Sequence, residues 1–323
     1  MRYDSEFDQF DEEDKEIERF RPIKMKKRRG AAGVHTPPPK ESYEGHVEVQ
    51  RWLKEQVLKD DGEKPKFNPA FLASRRDGPW ILSSLEHFYE EDLITDVLHI
   101  VRSGKEASVY CCAAHPSTGA AYLAAKVYRP RMFRSLKNDA IYRQSRLQHD
   151  REGRIVRNIR RFDAGNKGRA LQVQSWIEYE FETQRLLHEK GANVPRPLTQ
   201  IGNAVLMEYI GDVDDPAPLL KEVRLRRDEA RPLFDCVMRN IALFLAHGRI
   251  HGDLSEYNIL YWQGAISIID FAQAVDPRRN QAVFPLLLRD VERVCSYFAR
   301  YGVVADAREL AWSMWNQQMG ALF

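Results

Sequence analysis

Between two apolar runs the chain places three polar side chains that a protein core rejects. In "RIHGDLSEYNIL" (249–260) Asp253 follows His251-Gly252 and Asn258 comes five residues later; "AISIID" then ends on Asp270, seventeen residues after Asp253. Buried carboxylates and amides need partners, so the flanking segments are constrained to strands and tight loops that gather these groups. Together they can do specific chemistry. One carboxylate accepts a proton from an attacking hydroxyl, and an amide oxygen and a second carboxylate suit an oxygen-preferring cation such as magnesium. His251 reads as a hydrogen-bonder that orients the loop.

That inventory gives meaning to two weaker features. Phosphoryl transfer needs phosphates held still, charge neutralised by a lysine and a divalent cation, and a positioned nucleophile. "SGKEASVY" (103–110) is a turn between two strand-like runs, and Ser103, Gly104 and Lys105 could lie over phosphates. Its single glycine makes it neither a Walker loop nor the usual glycine-rich kinase loop, and alone it reads more readily as an ordinary hairpin. Lys126, in "LAAKVYRP", sits 22 residues after Gly104 on an otherwise apolar run, where a lysine is costly unless paired. A glutamate on the helix that follows is its expected partner. Glu178 and Glu180 both qualify, are two residues apart and cannot share a face; Glu180 is preferred.

The 323 residues are enough for two lobes with a core, and 43% hydrophobic content supports one. Nine acidic residues within positions 1–18 are followed by seven basic ones in "RFRPIKMKKRRG". Charge blocks without periodic apolar residues cannot offset chain entropy, so residues 1–45 read as a disordered charged tail. Helix signals over 46–96 predict a small extension packing on the first lobe. Short β-rich runs follow over 97–128, joined by the turn-like "HPSTGA"; a helix is expected at 176–190, ending at Gly191, and a strand in "AVLMEYIG". "EARPLFDCVMRNIALFLAHGRI" has apolar residues at 233, 234, 237, 238, 241 and 245, a core-facing helix stopped near Gly248. The expected organisation is an α+β chain of two lobes: a β-rich lobe over 97–210 with an insert at 129–169, and a mainly helical lobe over 211–323 opened by the Asp/Asn loops.

These motifs, in this order, resemble an atypical protein kinase of the RIO family, nearest its first subfamily. "SGKEASVY" is similar to that family's phosphate loop and "AAKVY" to its lysine strand. "WIEYEFETQRLL" resembles its regulatory helix, "VLMEYIG…DPAPLL" its hinge, and "HGDLSEYNIL" and "IIDFAQAV" its catalytic and metal loops; the likeness runs from about 97 to about 300. The resemblance implies a two-lobed protein-kinase-like fold and an ATP- and magnesium-dependent (or manganese-dependent) serine/threonine kinase. It further implies that Lys126 anchors phosphates, Asp253 accepts the proton, and Asn258 and Asp270 hold the metal. Asp270 itself is implied as a phosphoryl acceptor in an ATPase-like cycle. Adenine would be seated by the backbone of Glu208 and Ile210 beside Met207. No Ala-Pro-Glu segment follows Asp270, which fits the family and speaks against a broad peptide groove.

The insert carries 13 Lys/Arg and 4 Asp/Glu over residues 129–169, a balance of 13 − 4 = +9. A solvated basic face and a contact to RNA or a ribosomal subunit both account for it; the family's link to ribosome maturation favours the second. Three functions are therefore carried forward: a protein kinase acting at least on itself, an ATP-gated ribosome- or RNA-binding release factor, and a small-molecule phosphotransferase of the aminoglycoside type. No apolar run approaches the ~18–20 residues of a membrane span. Four cysteines without disulfide or metal spacing fit a reducing compartment, and the expected location is the cytoplasm.

Overall fold

A computed structural model describes residues 65–73, 78–104, 106–129, 166–278 and 281–319. The charged tail, Lys105 and nearly all of the 129–169 insert lie outside the described residues.

Among the described residues two helices, α1 (Ala70–Ala73) and α2 (Gly78–Glu90), precede the first strand. Strand β1 (Ile94–Ser103) begins three residues ahead of the expected lobe boundary, and pairs with β2 (Ala107–Ala114), which pairs with β3 (Tyr122–Tyr128). Helix α3 (Asn166–Glu189) then leads to β4 (Pro197–Ile201) and β5 (Ala204–Glu208). The five strands form one antiparallel sheet in the order β1-β2-β3-β5-β4. Strand alternation divides its two faces. Leu123, Ala125 and Val127 of β3, with Ala204 and Leu206 of β5, pack on one face against Trp80, Ile81, Leu85 and Phe88 of α2. The opposite residues, Tyr128 of β3 and Val205 and Met207 of β5, cluster with Trp176 and Ile177 of α3. Lys126 shares that second face, so the apolar strand that carries it also aims it toward α3.

Helix α3 starts ten residues earlier than the apolar periodicity at 176–190 predicts. Its first turns lack a hydrophobic stripe but contain no proline, and nothing in "NKGRALQVQS" stops a helix.

The second lobe holds α4 (Arg227–Ala246), the hairpin β6 (Ile259–Trp262) and β7 (Ala265–Ile268), α5 (Phe284–Ala299) and α6 (Ala307–Met319). Leu233, Phe234, Val237, Ile241 and Phe244 of α4 pack with Leu287, Val291, Val294 and Phe298 of α5 beneath Ile259, Ile268 and Phe271. This core lies directly under the loops at either end of the β6–β7 hairpin. The fold is the expected two-lobed, kinase-like α+β architecture.

Candidate active site

Lys126 lies at the centre of the site. Its Nζ is 2.6 Å from Oε1 of Glu180 on α3 and 3.0 Å from Oδ1 of Asp270, which follows β7. Glu178 is exposed on the other side of the helix, whereas Glu180 is buried. The second Glu180 oxygen accepts a hydrogen bond from the Tyr128 hydroxyl at 2.5 Å. Tyr128 and Lys126 are two residues apart on β3 and so share a face; the strand's period delivers both groups to one carboxylate.

Burial grades the three charged groups. Side-chain exposure is 13% for Lys126 and 4% for Glu180, but 45% for Asp270, so the constellation opens to solvent only on the Asp270 side. Burial alone would lower the Lys126 pKa; the carboxylates of Asp270 and Glu180 outweigh it and hold the ammonium well above its ordinary value. Burial pushes the Glu180 carboxyl up, against the pull of Lys126. Lys126 holds the Asp270 carboxyl below the usual carboxylate range. Asp270 also has φ 70°, in the left-handed region. A non-glycine residue there is strained by about 1–3 kcal/mol, and such strain recurs where a side chain is being aimed.

The loop between α4 and β6 carries Asp253 and Asn258. Its shape begins at Gly252, φ 79°, where a Cβ would run into the Gln273 carbonyl oxygen. His251 is buried; its Nε2 bonds the Ile269 carbonyl at 3.1 Å and its Nδ1 accepts the Asp253 N–H at 3.3 Å. That pairing requires a neutral ring with the proton on Nε2, and burial, the largest influence on it, lowers its pKa. His251 therefore ties the Asp253 loop to the residue before Asp270. Asn258 donates Nδ2 to the Asp253 carbonyl at 2.8 Å, and the Ile269 N–H bonds the Asn258 carbonyl at 3.0 Å. Two hydrogen bonds, both at Ile269, thus join the loop that carries Asp253 and Asn258 to the one that carries Asp270.

Helix α5 supports this loop through residues that the motif reading passed over. Asp290, buried, accepts the Gly252 N–H at 2.7 Å on Oδ2 and the Leu254 N–H at 2.9 Å on Oδ1. Arg289 bonds the Gly252 carbonyl. Arg293 places Nη1 2.7 Å from Asp253 Oδ1. Burial pushes the Asp290 carboxyl up to about 7, although its two backbone donors oppose the shift.

The remaining expected residues, Lys105 apart, are described. Ser103 and Gly104 lie in the β1–β2 turn, where the Gly104 N–H bonds the Ala107 carbonyl at 2.9 Å. Met207, next to last in β5, packs against the cluster of Tyr128 and Trp176. The Glu208 N–H bonds the Arg196 carbonyl at 2.8 Å. Among the described residues no acceptor meets the Ile210 N–H.

The donor set suits a hard cation that keeps water ligands. Asn258 uses its amide nitrogen within the loop, so Oδ1 is the end left to coordinate, and Asp270 offers a half-exposed carboxylate. Among the described residues no group of three or more His, Cys, Asp or Glu could hold a metal. Magnesium leaning on one or two protein oxygens and on phosphate needs no such cage.

Comparison with known proteins identifies the family. The RIO domain model matches residues 112–310. The chain is 30% identical over 210 residues to the RIO-type serine/threonine-protein kinase Rio1 of Haloferax volcanii, covering 65% of this chain and 66% of that one. It is 32% identical over 222 residues to human serine/threonine-protein kinase RIO1, covering 68% of this chain and 36% of the human protein. The matches thus span two thirds of the archaeal relative's length and about a third of the human one's. Among solved structures, the Rio2 kinase–ADP/Mg2+–phosphoaspartate complex from Chaetomium thermophilum superposes with a TM-score of 0.50 at 21% identity, over 72% of this chain and 66% of that one. A two-lobed kinase-like fold, a family match over more than half the sequence and relatives of this kind establish that the chain belongs to the RIO family.

Proposed function

We propose that this protein is a serine/threonine protein kinase that uses ATP with magnesium. The observation that carries the reading is Lys126 bonded at once to Glu180 and Asp270, with the loop of Asp253 and Asn258 hydrogen-bonded to Ile269 beside Asp270. Glu180 fixes the direction of the Lys126 ammonium, which grips the nucleotide phosphates. Ser103, Gly104 and Lys105 form the turn over them. The Glu208 carbonyl and Ile210 N–H face the adenine edge, with Met207 beside the ring. Asp253 orients the acceptor hydroxyl and takes its proton as the bond to phosphorus forms and ADP leaves. Asn258 and Asp270 would hold a magnesium ion, which would supply charge neutralisation for the phosphates. Manganese satisfies the same oxygen set.

In a second branch of the proposal Asp270 acts as nucleophile. Its carboxylate oxygen attacks the γ-phosphorus, ADP departs, and water then cleaves the acyl phosphate, giving net ATP hydrolysis. The phosphoaspartate named in the Chaetomium Rio2 complex supports this branch. With the +9 balance of residues 129–169, it also supports a nucleotide-gated hold on a phosphate-rich partner, RNA or a ribosomal particle. No helix among the described residues is long and apolar enough to cross a membrane, and Cys111, Cys112, Cys236 and Cys295 are unpaired; both support a cytoplasmic location.

Incubation with γ-labelled ATP and magnesium tests the reading. Label should appear on serine or threonine of the protein itself or of an acceptor protein, and should require Lys126. ATP that binds without any transfer or hydrolysis would contradict it.

A further inference from the structure

Arg129 is the first residue after β3, three beyond Lys126, and apart from its share of the insert's charge none of the roles above uses it. Its Nη2 lies 2.5 Å from Ser103 Oγ and 2.8 Å from Ser108 Oγ, and its Nε 3.3 Å from Ser108 Oγ. Its backbone N–H bonds the Glu106 carbonyl at 2.7 Å. Ser103 ends β1 and Ser108 sits at the start of β2, so one guanidinium spans both ends of the β1–β2 turn. The two hydroxyls are 3.5 Å apart, at the limit of a bond of their own. Within the turn, the Gly104 N–H bonds the Ala107 carbonyl.

We propose that Arg129 is the positioning residue of the phosphate turn: it sets the turn's width through Ser103 and Ser108 and leaves a fixed positive charge where the nucleotide phosphates lie. The proposal rests on the nucleotide-binding reading above. The physical argument has two parts. A turn offers its N–H groups to phosphate only if it is held in one shape, and preorganised donors are worth far more than mobile ones. A planar guanidinium holds two acceptors in fixed geometry, whereas a lysine ammonium is a point charge on a flexible stem. Charge alone and charge with geometry are therefore separable.

The test compares binding of ATP and of adenosine, each with magnesium, to unaltered protein, R129Q, R129K and the S103A/S108A pair. Adenosine reports the adenine seat and the intact fold; ATP adds the phosphates. R129Q should weaken ATP about tenfold or more, the scale of a lost charged hydrogen bond, and leave adenosine within about twofold. R129K should recover only part of the loss. The serine pair should weaken ATP selectively while keeping the charge, which holds the test open should R129Q fail to fold. Equal weakening of ATP and adenosine, or unchanged ATP affinity in both R129Q and the serine pair, overturns the proposal. Unaltered protein that binds adenosine but not ATP overturns the kinase reading itself, a result distinct from either.

Discussion

Arg293 Nη1 sits 2.7 Å from Asp253 Oδ1, an ion pair reaching from the middle of α5 to the loop after α4. Asp253 and Arg293 are 51% and 40% exposed, so as a stability element the pair is worth little. Its consequence is geometric. With Oδ1 held by Arg293, Oδ2 is the oxygen left to take the hydroxyl proton in the proposed reaction.

Replacing Arg293 with glutamine should therefore lower kcat about ten- to a hundredfold and leave the KM for ATP within about threefold, because a proton acceptor acts in the transition state. Steady-state kinetics with ATP varied checks this. A change confined to KM would move Arg293 to nucleotide binding.

Lys126 and Glu180 should behave as a unit. Removing the lysine strands a buried carboxylate beside Tyr128, so Lys126→Ala should cost about 3 kcal/mol of stability as well as turnover. The double variant K126A/E180Q should regain most of that stability and none of the activity. Denaturant unfolding of the four-member cycle measures the coupling, and additive losses would contradict the ion pair seen here.

Asp290 provides a pH signature. Its pKa is raised from 3.8 to about 7 in the folded protein, so between these values the native state binds more protons than the unfolded one. Its contribution to stability then falls as pH rises from about 4 to about 7 and is flat above, by linkage. In Asp290→Asn that slope should disappear. The amide cannot accept both the Gly252 and Leu254 N–H groups, so the variant should also lose about 1–3 kcal/mol. Melting temperatures of both proteins across this range decide it, and parallel curves would remove Asp290 as the cause.

Gly252→Ala combines a left-handed backbone with a collision at the Gln273 carbonyl. It should destabilise by at least about 1–3 kcal/mol and displace Asp253, lowering turnover more than ATP affinity. A stable, active alanine variant would show that the loop relaxes.

Much of the site was legible because catalytic side chains break the pattern of the elements that carry them. Lys126 interrupts an apolar strand, and Asp253, Asn258 and Asp270 interrupt apolar runs, so each stood out without a structure. Asp290, Arg289 and Arg293 did not, because an amphipathic helix is expected to carry charges and sequence does not say which point inward. Asp290 sits beside Val291 and three residues after Leu287, both buried, which was the only signal of its burial. Glu180 could be preferred over Glu178 by helical facing, but only the sheet's period shows Tyr128 completing its shell. Arg129 was counted within a basic insert, where charge statistics hide a single residue with defined bonds. The start of α3 was missed because its first turns follow propensity rather than periodicity.

The central claim is a division of labour between two carboxylates, and one experiment addresses it directly: magnesium-dependent ATP affinity and single-turnover phosphoryl transfer, measured side by side for Asp253→Asn and Asp270→Asn. The first variant should bind ATP with magnesium nearly as the unaltered protein does and transfer phosphate about 100-fold or more slowly, the scale of general-base catalysis. The second should lose the magnesium dependence of binding and any hydroxylamine-labile phosphoenzyme. If the two substitutions weaken binding equally and leave the transfer step of bound ATP unchanged, the assignment of Asp253 as proton acceptor and Asp270 as metal ligand is wrong.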